Sequence, residues 1–468
     1  MSDLLRRPLT EIVDRLARRD LSPLELMDAT LDRIAATHER LNAFVQMRDR
    51  DALRAEARAA GERIARGEGR PLEGVPLGVK DLEDAAGLVT THGSIPFKDH
   101  RVDHDSIQVA RLRAAGAIVI GKTNAPEFGW TAITKNLIYG ETRNPWNLER
   151  TPGGSSGGSS AAIAGGLVPL VTASDGGGSV RLPATFTGCF GLKPSLGRIP
   201  HGPDSQWVTV DTATHGPLTR TVEDGALHLD IVAGAHPLDP QSLPHPGYSY
   251  RAVLRHLPAG LRIGFSPDLG YAVVQRDVAD VVAEAAQVFE ALGHHVEFVK
   301  GGPPEAGREW GLVNCFDLAS RLHPLLPDHE PEFGRQFLWG VKHGWKMTPE
   351  VWGAAQKRRE ALNRWCAEAF DRYDLLLTPT TPYDPPPARG PFPTEIDGRK
   401  LPETSVASFT IPFNLSWHPA ATVRAGMSRA GLPVGLQIVA ARHRDDLVLQ
   451  AAHAFEQARP WADHWPTP

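Results

Sequence analysis

Gly153-Gly154-Ser155-Ser156-Gly157-Gly158-Ser159 and Asp175-Gly176-Gly177-Gly178-Ser179-Val180-Arg181 are the two stretches on which the reading of this chain turns; Ser155 and Ser179 stand 24 positions apart. Glycine tolerates φ > 0 and lets the backbone approach a ligand with no Cβ in between. Three glycines before Ser179 can therefore turn several N–H groups inward, as a cradle for the negative oxygen that forms when a serine attacks a carbonyl. A flexible Gly/Ser tether would be polar on both sides. Here the runs enclose Ala161-Ala162-Ile163-Ala164-Gly165-Gly166-Leu167-Val168-Pro169-Leu170-Val171, so they punctuate a packed core.

Outward from these runs the pattern is short apolar strands alternating with helices. Val75-Pro76-Leu77-Gly78-Val79-Lys80 and Ala117-Ile118-Val119-Ile120 read as buried strands, which predicts an α/β sheet covered on both faces. The second strand belongs to Gly116-Ala117-Ile118-Val119-Ile120-Gly121-Lys122-Thr123, a literal match to the phosphate-loop pattern. Its apolar, β-branched centre argues for a strand rather than a loop of free N–H groups, so Lys122 is assigned to structure. Upstream, Ser22-Pro23-Leu24-Glu25 forms a capping box that opens a helix carrying Met27, Leu31 and Ile34.

Downstream, residues 235–260 are rich in Pro and His and connect two halves. Leu261–Phe265 reads as a strand, Val278–Leu292 as an amphipathic helix stopped at Gly293, 310–370 as mostly helix, and Leu375–Pro379 as a strand. Pro379–Pro393 reads as a long surface loop. The chain divides into an N-terminal helical flank (1–65), a catalytic core (66–234), a variable, largely helical substrate-side region (235–400) and a C-terminal return to the core (401–468).

Hydrophobic residues at 41% and charged residues at 22% suit a globular chain with a large core, and the net charge of −5 provides no basic surface for nucleic acid or anionic lipid. Three cysteines, with no CxxC pair, argue against disulfides and zinc. The N-terminus has no signal-like apolar core and no run of eighteen apolar residues occurs, so the expected location is the cytoplasm.

Lys80 ends a strand at the edge of the core, where burial disfavours the ammonium and makes a neutral lysine a competent base. Ser179 is the candidate nucleophile because its hydroxyl adjoins the Gly176, Gly177 and Gly178 amides. Asp175 and Arg181 flank that loop and are expected to pair and hold its shape. Neither serine has the Gly-x-Ser-x-Gly context of a histidine-dependent hydrolase. His201, His236 and His245 lie in polar or proline-rich stretches and are assigned to the surface.

The block from Thr151 to Gly197 closely resembles the amidase signature family. The likeness extends to Gly74–Asp81, Gly121–Gly129, Gly216–Asp224 and Gly431–Gln437, and it covers nearly the whole chain as one domain. It implies the family's α/β fold, with a central twisted mixed sheet between helices, and a metal-free, cofactor-free amide hydrolase. By position it makes Ser179 the nucleophile, Ser155 a bridging serine after a cis peptide bond, Lys80 the base, and the N–H groups of Gly176, Gly177, Gly178 and Ser179 the oxyanion hole. Many members carry threonine where this chain has Ser174, whose hydroxyl can make the same bond, and Gly176 is an extra glycine that loosens the cradle.

The implied partner is a small amide, handled by a monomer or homodimer, with no nucleic acid and no membrane. Trp207, Trp310, Trp339, Trp345 and Trp417 suggest an apolar or aryl pocket, and hence aryl, cyclic or oligomeric amides, carbamates or esters. The alternative is the glutaminase component of a tRNA-dependent amidotransferase, which shares the three catalytic residues. A catalytically dead binding protein is disfavoured because all three are present.

Overall fold

The structure, a computed structural model, describes residues 4–202, 211–402 and 404–467. Four strands form one sheet in the order Phe44–Met47, Ile118–Thr123, Pro76–Lys80, Leu170–Val171. The last three run parallel, and the first is antiparallel to its neighbour. Seven strands form a second sheet in the order Leu218–Thr219, Phe190–Lys193, Ala420–Met427, Pro433–Ala440, Leu375–Pro379, Arg262–Phe265, His295–Phe298. Leu170–Val171 lies against Leu218–Thr219, so the two sheets meet edge to edge and extend one mixed layer.

Every residue of Pro76–Lys80, Ile118–Thr123, Leu375–Pro379 and Pro433–Ala440 is buried. A strand buried at successive positions has both of its faces covered, because neighbouring side chains point to opposite sides. Helices Gly157–Ala164 on the first sheet, and Arg181–Thr187, Arg276–Ala291 and Asp445–Ala458 on the second, supply that cover. The apolar stretch at 117–120 is a strand as expected, and Lys122 ends buried in it, donating to Glu83 O and to Thr90 Oγ1.

The capping box is formed: Ser22 Oγ accepts from Glu25 N at 3.1 Å while Glu25 Oε2 accepts from Ser22 N at 2.9 Å. Two expectations are corrected. The flank at 1–65 is not purely helical, since Phe44–Met47 pairs into the first sheet and the Phe44 ring occupies the space over Gly78, 2.9 Å from where a Cβ would stand. Nor does Pro379–Pro393 lie wholly on the surface. Thr381, Pro382, Tyr383, Pro385 and Pro386 are buried, and Pro386 O accepts from Thr151 N at 2.9 Å, so this loop packs on the segment that leads into the first serine run.

Candidate active site

Lys80 ends its strand fully inside the protein, 1% exposed. Its Nζ lies 2.8 Å from Ser155 Oγ, 2.9 Å from Ser156 Oγ and 3.0 Å from Ser174 Oγ. All three partners are neutral hydroxyls. Burial pulls the Lys80 ammonium down to about 7, against the opposing pull of Asp175 and then Glu83. The start of helix Gly157–Ala164, directly after Ser155 and Ser156, adds its positive dipole end and further disfavours a second positive charge.

That helix must be made of small residues to sit where it does. All eight are buried, and a Cβ on Gly158 would stand 2.3 Å from Asn124 N, while one on Gly157 would stand 2.2 Å from Thr134 Oγ1. The Gly154–Ser155 peptide is cis, as the resemblance implied. Ser155 is buried, and Gly129 of the 121–129 motif lies beside it.

The second run is held by a buried ion pair. Arg181 Nη2 and Nε donate to Asp175 at 2.9 and 3.0 Å, Arg181 Nη1 donates to Gln437 Oε1 at 2.7 Å, and Asn414 Nδ2 donates to Asp175 Oδ1 at 2.9 Å. Burial alone would raise the Asp175 carboxyl; the Arg181 charge, the Arg181 and Asn414 hydrogen bonds and Lys193 bring it well below the usual carboxylate range.

This pair removes one member of the expected oxyanion hole. The Gly178 N–H donates to Asp175 Oδ1 at 2.7 Å and is engaged in shaping the loop. Among the described residues the amides of Gly176, Gly177 and Ser179 meet no protein acceptor, and these three remain as donors. Nor is the loop loosened at Gly176, whose carbonyl accepts from Trp310 Nε1 at 2.9 Å and Thr212 Oγ1 at 3.2 Å.

Ser179 is half-buried, and its carbonyl accepts from Ser156 N at 3.3 Å, which joins the two runs. No hydrogen bond links its hydroxyl to Ser155 among the described residues. Ser156 was not singled out in the sequence, yet its hydroxyl is as close to Lys80 as that of Ser155. Its place beside Ser155 in the first run was the available signal.

The histidines separate: His245 is exposed, His236 half-buried, and His201 half-buried and stacked on His215 with ring centroids 4.0 Å apart. The surface reading therefore fails for His201, because the strand residue His215 provides an aromatic face for it. Of the tryptophans, Trp339 and Trp345 are 60% and 51% exposed, Trp207 lies outside the described residues, and Trp417 lines a cavity of about 700 Å³ with Arg359. Of these tryptophans, Trp310 alone among the described residues is seen to touch the glycine loop. It also walls a cavity of about 240 Å³ with Ala306, Val313, Trp352, Ala355 and Leu415. Among the described residues no group of three His, Cys, Asp or Glu is placed to hold a metal, and no helix is long and apolar enough to cross a membrane.

A mixed α/β layer with a lysine buried among serine hydroxyls next to open amides defines a hydrolase class, and comparison with known proteins names it. Residues 25–449 match the Amidase family. The chain belongs to the amidase signature family and is an enzyme that hydrolyses amide C–N bonds. It is 39% identical to an acylamidase of Rhodococcus erythropolis, over 98% of this chain and 96% of that one. It is also 34% identical to a component of the glutamyl-tRNA(Gln) amidotransferase of Roseiflexus castenholzii, over 100% of this chain and 98% of that one. A solved bacterial aryl acylamidase of the same family superposes with a TM-score of 0.91 at 32% identity, covering 98% of this chain and 97% of that one.

Proposed function

We propose that this amidase cleaves aryl or otherwise apolar amides through an acyl-enzyme on Ser179, with Ser155 as relay and Lys80 as base. The observation that carries this reading is the 2.8 Å contact between Lys80 Nζ and Ser155 Oγ in a site where burial favours the neutral amine. Lys80 accepts the Ser155 proton as Ser155 takes that of Ser179, and Ser179 Oγ attacks the amide carbonyl. The relay requires Ser179 Oγ to come within hydrogen-bond reach of Ser155 Oγ, a contact that commonly tightens only with substrate bound. The N–H groups of Gly176, Gly177 and Ser179 receive the oxyanion. The proton held by Lys80 returns through Ser155 to the leaving amine, and water then hydrolyses the ester.

An apolar substrate is supported by the likeness to acylamidases and by the apolar wall of Trp310, Val313, Trp352 and Leu415 in a cavity that Asp211, Glu309, Asp317 and Arg359 also line. Carbamates and esters present the same carbonyl to the same cradle. Purified protein should cleave an anilide faster than a short aliphatic amide; equal or reversed rates count against the aryl preference. Ser179→Ala should abolish covalent labelling by a fluorophosphonate and all turnover, and wild-type turnover in that variant refutes the nucleophile. The identity to the amidotransferase component supports a second reading, a glutaminase within a larger complex, for which two further proteins should co-purify in stoichiometric amount with the native chain.

A further inference from the structure

Consecutive peptide groups of the glycine loop are held in different ways. The Gly177–Gly178 peptide is engaged at both ends: its carbonyl accepts from Thr410 Oγ1 at 2.6 Å and its N–H donates to Asp175 Oδ1 at 2.7 Å. The Gly176–Gly177 peptide is engaged at one. Its carbonyl accepts from Trp310 Nε1 at 2.9 Å and Thr212 Oγ1 at 3.2 Å, whereas its N–H meets no acceptor among the described residues. A trans peptide is planar with C=O and N–H opposed, so whatever fixes the oxygen fixes the direction of the N–H.

Trp310 is built closely onto this peptide. A Cβ on Gly177 would stand 2.6 Å from Trp310 Cζ2 and 3.0 Å from Cε2, so the indole lies where only glycine leaves room. The tryptophan comes from helix Gly307–Leu322, distant in sequence from the loop that it grips. Two glycines in succession would otherwise leave this peptide free to rotate. Two donors on its oxygen also polarise it and make its N–H the stronger donor.

We propose that Trp310, together with Thr212, is a positioning residue for amide hydrolysis, holding the Gly176–Gly177 peptide so that the Gly177 N–H meets the oxyanion of the tetrahedral intermediate. This rests on the reading of Ser179 as nucleophile and of the glycine loop as its oxyanion site. A donor aimed in advance acts on the transition state and leaves substrate binding alone, because charge on the carbonyl oxygen develops only there. A tryptophan serving only as a pocket wall would act on ground-state binding.

The test compares the full-length chain with Trp310→Phe, Thr212→Val and the double variant, using 4-nitroacetanilide as substrate and an aryl trifluoromethyl ketone as mimic of the tetrahedral anion. Phenylalanine keeps a ring against Gly177 and removes the N–H. Trp310→Phe should lower kcat about tenfold with KM within about twofold, and the double variant should approach the loss of about 10²-fold known for deleting one oxyanion donor. Ketone affinity should fall in parallel. Should Trp310→Phe not fold, Thr212→Val tests the same carbonyl from another element. A raised KM with unchanged kcat, or unchanged ketone affinity in the double variant, overturns the proposal. Fluorophosphonate labelling of the unmodified chain separates the two readings. Label on Ser179 with a full kcat in the double variant overturns the positioning role alone, and label absent from Ser179 overturns both.

Discussion

At the scale of single residues, the protonation of Lys80 governs the proposed relay. An ammonium has no lone pair with which to accept the Ser155 proton, so kcat/KM should fall about tenfold per pH unit below about 7, the value to which burial lowers Lys80. Asp175 and Glu83 are the negative groups that hold the proton on. Glu83→Gln should therefore move the acidic limb to lower pH, as a pH profile of anilide hydrolysis will show, and Lys80→Ala should cost about 10²–10⁴-fold in rate. The same depression opposes folding at neutral pH. The unfolded chain binds a proton that the folded site holds weakly, so this group's contribution to stability improves as pH rises from about 7 towards the ordinary lysine range. As candidates, Lys80, Ser155 and Ser179 were legible in the sequence because each sits in a local pattern. Trp310, Thr212, Thr410 and Asn414 were not legible as partners of the glycine loop, because nothing near them in the chain marks which backbone atom they reach.

At the scale of elements, the helix after the first serine run shows how composition serves placement. Gly157–Ala164 is poor in helix-favouring residues at its start, yet it forms because glycine and serine let it lie directly on the Asn124 loop. Gly158→Ala should raise intrinsic helix propensity and still lower stability by about 1–3 kcal/mol, since its Cβ would meet backbone atoms that cannot yield. A fall in the denaturation midpoint checks this. The strands at 75–80, 117–120 and 375–379 were readable because buried parallel and central strands are apolar throughout. Pro379–Pro393 was readable as a loop but not as a buried one. Proline and polar residues report the absence of regular structure, whereas the packing of Pro385 and Pro386 on the 149–151 segment depends on a contact far away in the chain.

At the scale of the whole molecule, the Arg181 guanidinium ties distant parts of the chain together, binding Asp175 in the glycine loop, Asn414 in helix Ile411–Leu415 and Gln437 in strand Pro433–Ala440. Arg181→Met leaves Asp175 buried without its cation and should cost about 3–5 kcal/mol in chemical denaturation. The double variant with Asp175→Asn should lose less, because no unpaired charge remains.

The order of the seven-stranded sheet also has a consequence for synthesis. Strands Ala420–Met427 and Pro433–Ala440 lie between Phe190–Lys193 and Leu375–Pro379, so its middle is filled by residues made after both of the strands that flank them. Until they emerge, the earlier strands have open edges towards one another and Arg181 lacks a partner 256 positions ahead. The glycine loop at 175–181 can therefore take its final shape only after strand Pro433–Ala440 has emerged, so a nascent chain displays Lys80, Ser155 and Ser179 long before the proposed site is assembled.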